Sequence, residues 1–393
     1  MPSIIYIVYR HWCIAARETS RGRPEVRVAE GSDALPPSTG RPVARPLRRR
    51  NGMTRSDAPT MNPLVLQRAD PCVLRHEGQY YFTASHPLYD RIILRRAETL
   101  DGLQAADEVT IWRKHDQGPQ SELIWAPEIH RVHGAWYIYY AAAPDAHGTA
   151  DAPSTDETFN HRVFVLENTA EDPFAGEWVE RGQVDTGWES FALDATSFVH
   201  GGRQYLVWAQ EDLAVKGHSN LYIAPMENPW TLAGPAVELT RPEHDWETKG
   251  FWVNEGPAVL EHEGTLYLTY SGAATGIDYA MGVLTASADA DLLDPASWTK
   301  SPTPVFVSDP SVQRYGPGHN SFTTTPDGEP VLVYHARTYT HIEGDPLRDP
   351  NRHACAQVLR FDEAGRPLWG TPAPGTRPAP TSTEILAPSG ELS

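Results

Sequence analysis

Cysteine is nearly missing from this chain. Only Cys13, Cys72 and Cys355 occur in 393 residues, and none forms a CxxC pair. A disulfide framework and a cysteine-based zinc site are therefore not indicated, and such sparing use suits a reducing compartment. Long apolar runs are missing too. The stretch SIIYIVY near the start is too short to span a membrane, and it lacks the basic flank and small-residue cleavage pattern of a signal peptide. On these grounds the expected location is cytoplasmic. Segments with helical periodicity are absent apart from a turn or two around residues 286–293. No glycine-rich phosphate loop, EF-hand-like ligand cluster or G-x-S-x-G elbow appears.

Basic charge is scarce outside the first 52 residues. That segment carries ten Arg against four acidic residues, net +6, whereas the remainder carries 23 Lys or Arg against 47 acidic residues, net −24. So acidic a body repels nucleic acid and anionic membranes, and neither is expected as a partner. Residues 1–52 are rich in Arg, Pro and Gly without a hydrophobic period. They read as a disordered basic extension, with Met53 or Met61 as alternative starts. Residues 53–393 read as one large domain ending in a Pro-rich tail.

What the chain has in abundance is aromatic residues, 12 Trp, 16 Tyr and 10 Phe, and they recur in a pattern. A short apolar strand, a polar turn ending in Gly and an aromatic-rich strand appear five times. The turn glycines are Gly78, Gly134, Gly202, Gly264 and Gly328, separated by 56, 68, 62 and 64 residues. A tyrosine follows three positions later in four copies (Tyr81, Tyr137, Tyr205, Tyr267), and Val331 takes that place in the fifth. Lone hairpins are marginal in water and must share a core. Self-similarity at a near-constant period marks a repeat architecture, here an all-β, five-bladed β-propeller.

Counting back from the glycines locates unusual residues. Asp70 and Asp194 lie eight positions before theirs; Glu255 and His319 lie nine before. This places all four at the head of the first strand of a blade, where equivalent positions converge on the propeller axis. Three carboxylates and a histidine gathered there are costly, because like charges repel and burial removes water. A function must hold them. Two carboxyl groups suffice for glycoside hydrolysis, with a third raising the acid's pKa; a hard-cation site is the rival reading.

The stretches RADPCVLRHEGQYYFTAS, LIWAPEIHRVHGAWYIYYAA, FALDATSF, NEGPAVLEHEGTLYLTYSG and GPGHNSF resemble glycoside hydrolase family 43 from about residue 61 to about residue 370. The resemblance implies a five-bladed propeller and an inverting reaction that needs no cofactor. It implies Asp70 as general base, Glu255 as general acid and Asp194 as modulator of the acid's pKa. An inverting pair must admit a water between its carboxyls, roughly 6.5–9.5 Å apart.

His319 matches the family's axial histidine, which implies either a structural calcium at the axis or a histidine bonded to a carboxylate. Trp125 is expected to stack on a sugar at the pocket rim or to pack between blades. Arg337 and Arg352 are candidates to pair with Asp70, to bind sugar hydroxyls, or to form ordinary surface ion pairs. Glu128, six before its glycine, reads as structural. The last blade looks most like that of the family's α-L-arabinofuranosidases, so the expected substrate is a pentose oligosaccharide from arabinan or arabinoxylan, attacked at its end. The alternatives are a β-xylosidase, an endo-arabinanase, or a carbohydrate-binding propeller without catalysis. A retaining fructosidase-type enzyme would begin blade one with Asn-Asp-Pro-Asn-Gly, and RADPC is not that.

Overall fold

The structure, a computed structural model, describes residues 59–144 and 160–386. The expected basic extension, residues 1–52, lies outside the described residues. Blade I comprises β1 (Ala69–His76), β2 (Gln79–Ser85), β3 (Arg91–Ala97) and β4 (Val109–Arg113). Blade II comprises β5 (Glu122–Val132), β6 (Ala135–Ala143), β7 (Arg162–Asn168) and β8 (Val179–Gln183). Blade III comprises β9 (Ala192–His200), β10 (Arg203–Glu211), β11 (His218–Asn228), the short β12 (Thr231–Leu232) and β13 (Val237–Thr240). Blade IV comprises β14 (Trp252–His262), β15 (Thr265–Gly272), β16 (Ala280–Ser287) and β17 (Thr299–Lys300). Blade V has β18 (Tyr315–Thr324), β19 (Pro330–Arg337) and β20 (His353–Val358).

Its fourth position is filled from the opposite end of the domain. Leu64 N–H donates to the Ala354 carbonyl at 2.7 Å, and Ala354 N–H returns a bond to Val65 at 2.9 Å. Residues 64 and 65 thus seal the last blade and cover its edge. The Pro-rich tail reinforces the seal: Arg377 Nε donates to the Pro63 carbonyl at 2.7 Å and Leu386 N–H donates to Gln67 Oε1 at 2.7 Å. Among the described residues helix is confined to single 3-10 turns at Asp101–Gln104, Pro295–Ser297 and Pro310–Val312. The helical turn expected at 286–293 is instead the end of β16 and a turn.

The inner strands β1, β5, β9, β14 and β18 neighbour one another in a closed ring of five. Each second strand is buried on both faces because alternate side chains point to the two flanking blades. In β2, Tyr80, Phe82 and Ala84 join a cluster with Val331 and Val333 of blade V, whereas Tyr81 joins Trp136 and Ile138 of blade II. The repeated tyrosine is thus an inter-blade wedge. Tyr137 and Tyr205 serve the next two junctions in the same way, each such side chain contributing about 1.5–3 kcal/mol by burial.

Four of the hairpins turn through two residues with positive φ, for example Glu77 (+48°) and Gly78 (+78°). This type I′ geometry suits the strand twist and explains the invariable second glycine. In blade V the turn spans five residues, closed by Thr325 N–H to the Glu329 carbonyl at 2.8 Å.

Candidate active site

Each inner strand begins with an irregularity. Its pairing with the second strand shifts register near the head, and at matching places a residue adopts left-handed backbone: Asp70 (+53°), Ala126 (+46°), Asp194 (+54°), Gly256 (+55°) and His319 (+41°), with a second one in β5 and β18 at Leu123 (+50°) and Gly316 (+58°). Four of these stand eight before the turn glycine, and His319 stands nine before because its turn is longer. The sequence reading therefore needs one correction. Asp70, Asp194 and His319 share a structural position, but Glu255 does not. Gly256 occupies that position in blade IV, and Glu255 precedes it.

The bend turns the left-handed residue's amide away from its own ladder, and it must find another partner. A side chain of the preceding blade supplies one in four cases. Ser85 Oγ accepts from Ala126 N–H at 2.8 Å, Ser271 Oγ from His319 N–H at 2.8 Å and Asp194 Oδ2 from Gly256 N–H at 3.1 Å. His335 Nδ1 lies 3.2 Å from Asp70 N. Ser85, Ser271 and His335 all stand seven after a turn glycine, a periodic signal present in the sequence itself.

Around this ring the carboxyl groups have unlike surroundings. Asp70 is buried, takes a 2.6 Å bond from Ser85 Oγ–H on Oδ2 and a 3.2 Å bond from Arg352 Nη1 on Oδ1. His335 Nδ1 and His319 Nδ1 lie 3.2 and 3.4 Å from the same Oδ1. Burial alone would raise this carboxyl, but the Arg352 guanidinium, with His319 and His335 behind it, outweighs burial and holds it well below the usual range. Asp70 is charged.

Glu255 is half-buried, and the Tyr279 hydroxyl donates to its Oε1 at 2.8 Å. Burial drives its carboxyl upward; the Tyr279 bond and Arg352 pull back, the Asp70 charge pushes further, and the balance is about 7. Asp194 is raised well above its ordinary value by burial, then by Glu255 and Asp70, against the Gly256 N–H. The Asp194–Glu255 pair titrates as a unit and retains a proton near neutrality.

The remaining candidates fall into place unevenly. Arg352 bridges Asp70 to the Tyr89 hydroxyl, 3.0 Å from Nη2. Arg337 is 1% exposed and spends both Nη groups on the Thr275 and Pro346 carbonyls, each at 2.6 Å. It fastens loops rather than facing the mouth. Trp125 is half-buried, stacked on His161 (4.1 Å, 22°) and edge-on to Tyr89 (5.6 Å). Glu128 sits farther down the axis beside His130 (3.1 Å), in a cavity of about 150 Å³ also lined by Cys72 and Thr196.

The calcium expectation meets a poor donor set. His319 turns Nδ1 toward Asp70 and Asp194, at 3.4 and 3.5 Å, and among the described residues no group of three or more His, Cys, Asp or Glu could hold a metal ion. Calcium asks for six to eight oxygen ligands, so these residues do not fit an ion caged directly by the protein.

Comparison with known proteins now settles the family. Residues 60–367 match the family described as glycosyl hydrolases family 43. The chain belongs to that family. An α-L-arabinofuranosidase 43 of Humicola insolens is 48% identical over 330 residues, covering 83% of this chain and 66% of the relative. An extracellular exo-α-(1→5)-L-arabinofuranosidase of Streptomyces avermitilis is 50% identical over 320 residues, covering 81% and 64% respectively. The chain thus spans about two thirds of the length of these curated relatives. The crystal structure of an α-L-arabinofuranosidase from Lactobacillus brevis superposes with a TM-score of 0.77 at 52% identity, covering 81% of this chain and 98% of that one. The family's chemistry requires no cofactor.

The cytoplasmic expectation is overturned, since the Streptomyces avermitilis relative is named extracellular. The thiol argument behind it fails physically as well. Cys72 and Cys355 are both buried, where burial raises their pKa and shields them from oxidant, so unpaired cysteines here say nothing about the compartment.

Proposed function

We propose that this protein is an inverting, exo-acting α-L-arabinofuranosidase that removes terminal arabinofuranose from α-(1→5)-linked arabino-oligosaccharides. The observation that carries the reading is the opposite state of two carboxyl groups in one ring: Asp70 held charged by Arg352, Glu255 held protonated up to about pH 7. Inverting hydrolysis needs that division. A charged carboxylate draws a proton from water while a neutral carboxyl gives one to the leaving oxygen. In this reading Asp70 is the base and Glu255 the acid. Asp194 positions the acid through the Gly256 amide and keeps the pair's proton in place by repulsion. Arg352 and Tyr89 border the base, and Trp125 forms part of the wall. No step runs through a metal. The choice of arabinofuranose rests on the likeness to proteins of that name; by the same likeness its work lies outside the cell.

The test is a substrate panel followed by proton NMR. Turnover is expected with aryl α-L-arabinofuranoside and arabino-oligosaccharides, with β-L-arabinofuranose appearing first and oligosaccharides shortening one unit at a time. First appearance of the α-anomer removes the base role of Asp70. Early arabinobiose moves the reading to an endo-acting groove, and turnover of xylosides alone moves it to a β-xylosidase.

A further inference from the structure

The left-handed residue of blade II, Ala126, brings no reactive group to the ring, yet its amide reaches the base through a serine. Ser85, the last residue of β2, is 2% exposed and pairs with Ala69, the neighbour of Asp70. Its hydroxyl makes two bonds of opposite sense. It accepts from Ala126 N–H at 2.8 Å and donates to Asp70 Oδ2 at 2.6 Å. An amide N–H can only donate, so the hydroxyl proton has to turn away from Ala126. The buried Asp70 carboxylate receives it. The left-handed backbone at Ala126 (+46°) thus fixes where the serine proton points.

The place seven after the turn glycine holds Ser85, Ala141, Ala209, Ser271 and His335 in the five blades. Two of these reach Asp70, and they divide its oxygens: Ser85 bonds Oδ2, and His335 Nδ1 lies 3.2 Å from Oδ1. An ionised carboxylate offers roughly four lone-pair sites, two on each oxygen. On Oδ1, Arg352 Nη1 takes one at 3.2 Å, and the His335 and His319 rings crowd the other at 3.2 and 3.4 Å. Oδ2 carries the serine bond and keeps one site open. We propose that Ser85, aimed by the Ala126 amide, is a positioning residue that holds the Asp70 carboxylate so that the free lone pair of Oδ2 accepts the proton of the attacking water. This rests on the base role of Asp70 given above.

The serine bond opposes basicity while it fixes direction. A donor to a carboxylate favours the charged form and makes it a weaker base. Deleting the donor makes Asp70 more basic, so a slower reaction without it reports lost aim.

The experiment compares wild type with Ser85→Ala, Ser85→Cys and Ser85→Thr on aryl α-L-arabinofuranoside and arabinobiose. Ser271→Ala, which removes the cap from the His319 amide, measures the loss of a cap alone. Ser85→Ala should lose about ten- to hundredfold in kcat on both substrates, with KM little changed, since the attacking water is common to both. The acidic limb of kcat/KM should move to higher pH, because the charged carboxylate has lost a donor. Threonine keeps the hydroxyl and should recover most of the rate. Cysteine keeps the shape but donates weakly, and should stay near alanine. If the alanine variant does not fold, cysteine against threonine carries the test. A wild-type kcat in Ser85→Ala or Ser85→Cys, or an acidic limb that stays in place, overturns the assignment. So does an equal loss of kcat in Ser271→Ala, which would leave Ser85 as a cap for Ala126 and nothing more. Failure of the proposed function reads differently: Asp70→Asn would then remain active, whatever the Ser85 variants do.

Discussion

Blades I and IV are built on the same hairpin, with the same type I′ turn and a left-handed residue eight positions before the turn glycine, yet they hold their carboxyl groups in opposite states. In blade I the left-handed residue itself carries the carboxyl group. Asp70 is drawn into the ring, where Ser85, Arg352 and two histidines surround it. In blade IV glycine takes that position, and the acid precedes it, half-buried, with the Tyr279 hydroxyl for company. A displacement of one residue along the strand therefore separates a charged carboxylate from a protonated one. The lesson is that the bulge, as much as the residue type, assigns the chemistry.

The sharpest way to break the comparison is to neutralise each carboxyl in turn. Asp70→Asn should abolish hydrolysis of every substrate alike, because water activation is needed whatever the leaving group. Glu255→Gln should cost about 10²–10⁴-fold on arabinobiose and far less on an aryl glycoside whose leaving group needs little protonation. Steady-state rates on both substrates decide it. Equal losses for Glu255→Gln would remove the distinction between the two blades. The same variant carries a stability signature. A carboxyl raised to about 7 binds its proton more tightly in the folded chain than in the unfolded one, so stability declines from the unfolded value up through about pH 7 and the full cost applies above. Glu255→Gln should accordingly raise Tm at pH 8 more than at pH 5, as calorimetry would show.

Removing the cation tests blade I alone. Arg352→Met deprives Asp70 of its chief charged partner, so the Asp70 carboxyl must rise and the acidic limb of kcat/KM must move to higher pH. A loss of about 10²-fold at pH 5 is expected, smaller at pH 7, together with a lower Tm from the broken buried pair. Arg337→Met makes the control. It should reduce Tm without moving the acidic limb, since Arg337 bonds loop carbonyls rather than Asp70.

The backbone side of the comparison is open to Gly256→Ala. A Cβ there would meet the His319 ring at 3.0 Å and its Cα at 3.2 Å, on a backbone at +55°. Strain of about 1–2 kcal/mol for the conformation alone, with the clash added, should depress Tm by several degrees and disturb the Asp194 bond. Blade II tolerates Ala126 at the equivalent position, where Ser85 caps the amide. An unchanged Tm in Gly256→Ala would show that closeness to His319 does not govern the choice of glycine.

These contrasts also show what the sequence made legible. The turn glycines and the tyrosine three positions on are forced by local geometry, type I′ turns and inter-blade wedges, so the five blades and the positions of Asp70 and Asp194 could be counted directly. The same count reaches Glu255 but sets it one residue out, because between turns of equal length offsets of eight and nine mark different positions. The longer turn of blade V makes nine correct for His319 and hides the mistake. Arg352 and Arg337 look alike in sequence, and only the path of the β19–β20 loop sends one to Asp70 and the other to Thr275 and Pro346. Tyr279 lies outside the repeat, so no count could reach it.

Tyr279 gives the finest test. Its hydroxyl donates to Glu255 Oε1 and its ring lies nearly parallel to His335, 5.5 Å between centroids at 9°. A donor to the ionised carboxylate stabilises the charged form and lowers the pKa, so it opposes the protonation that the acid role requires. Tyr279→Phe keeps the stack and removes the bond. The Glu255 carboxyl should then rise above its value of about 7, and the alkaline limb of kcat/KM should move upward in pH. At pH 6, where Glu255 is already protonated, the rate should change by no more than about threefold; above pH 8 the variant should overtake the wild type on substrates with poor leaving groups. Aryl substrates, which rely less on the acid, should show a smaller displacement of the limb. A limb that moves downward would mean that Tyr279 holds the neutral acid instead, by accepting its proton. In that case the protonated state in blade IV would be built by a specific partner, as the charged state in blade I is, and not by burial alone.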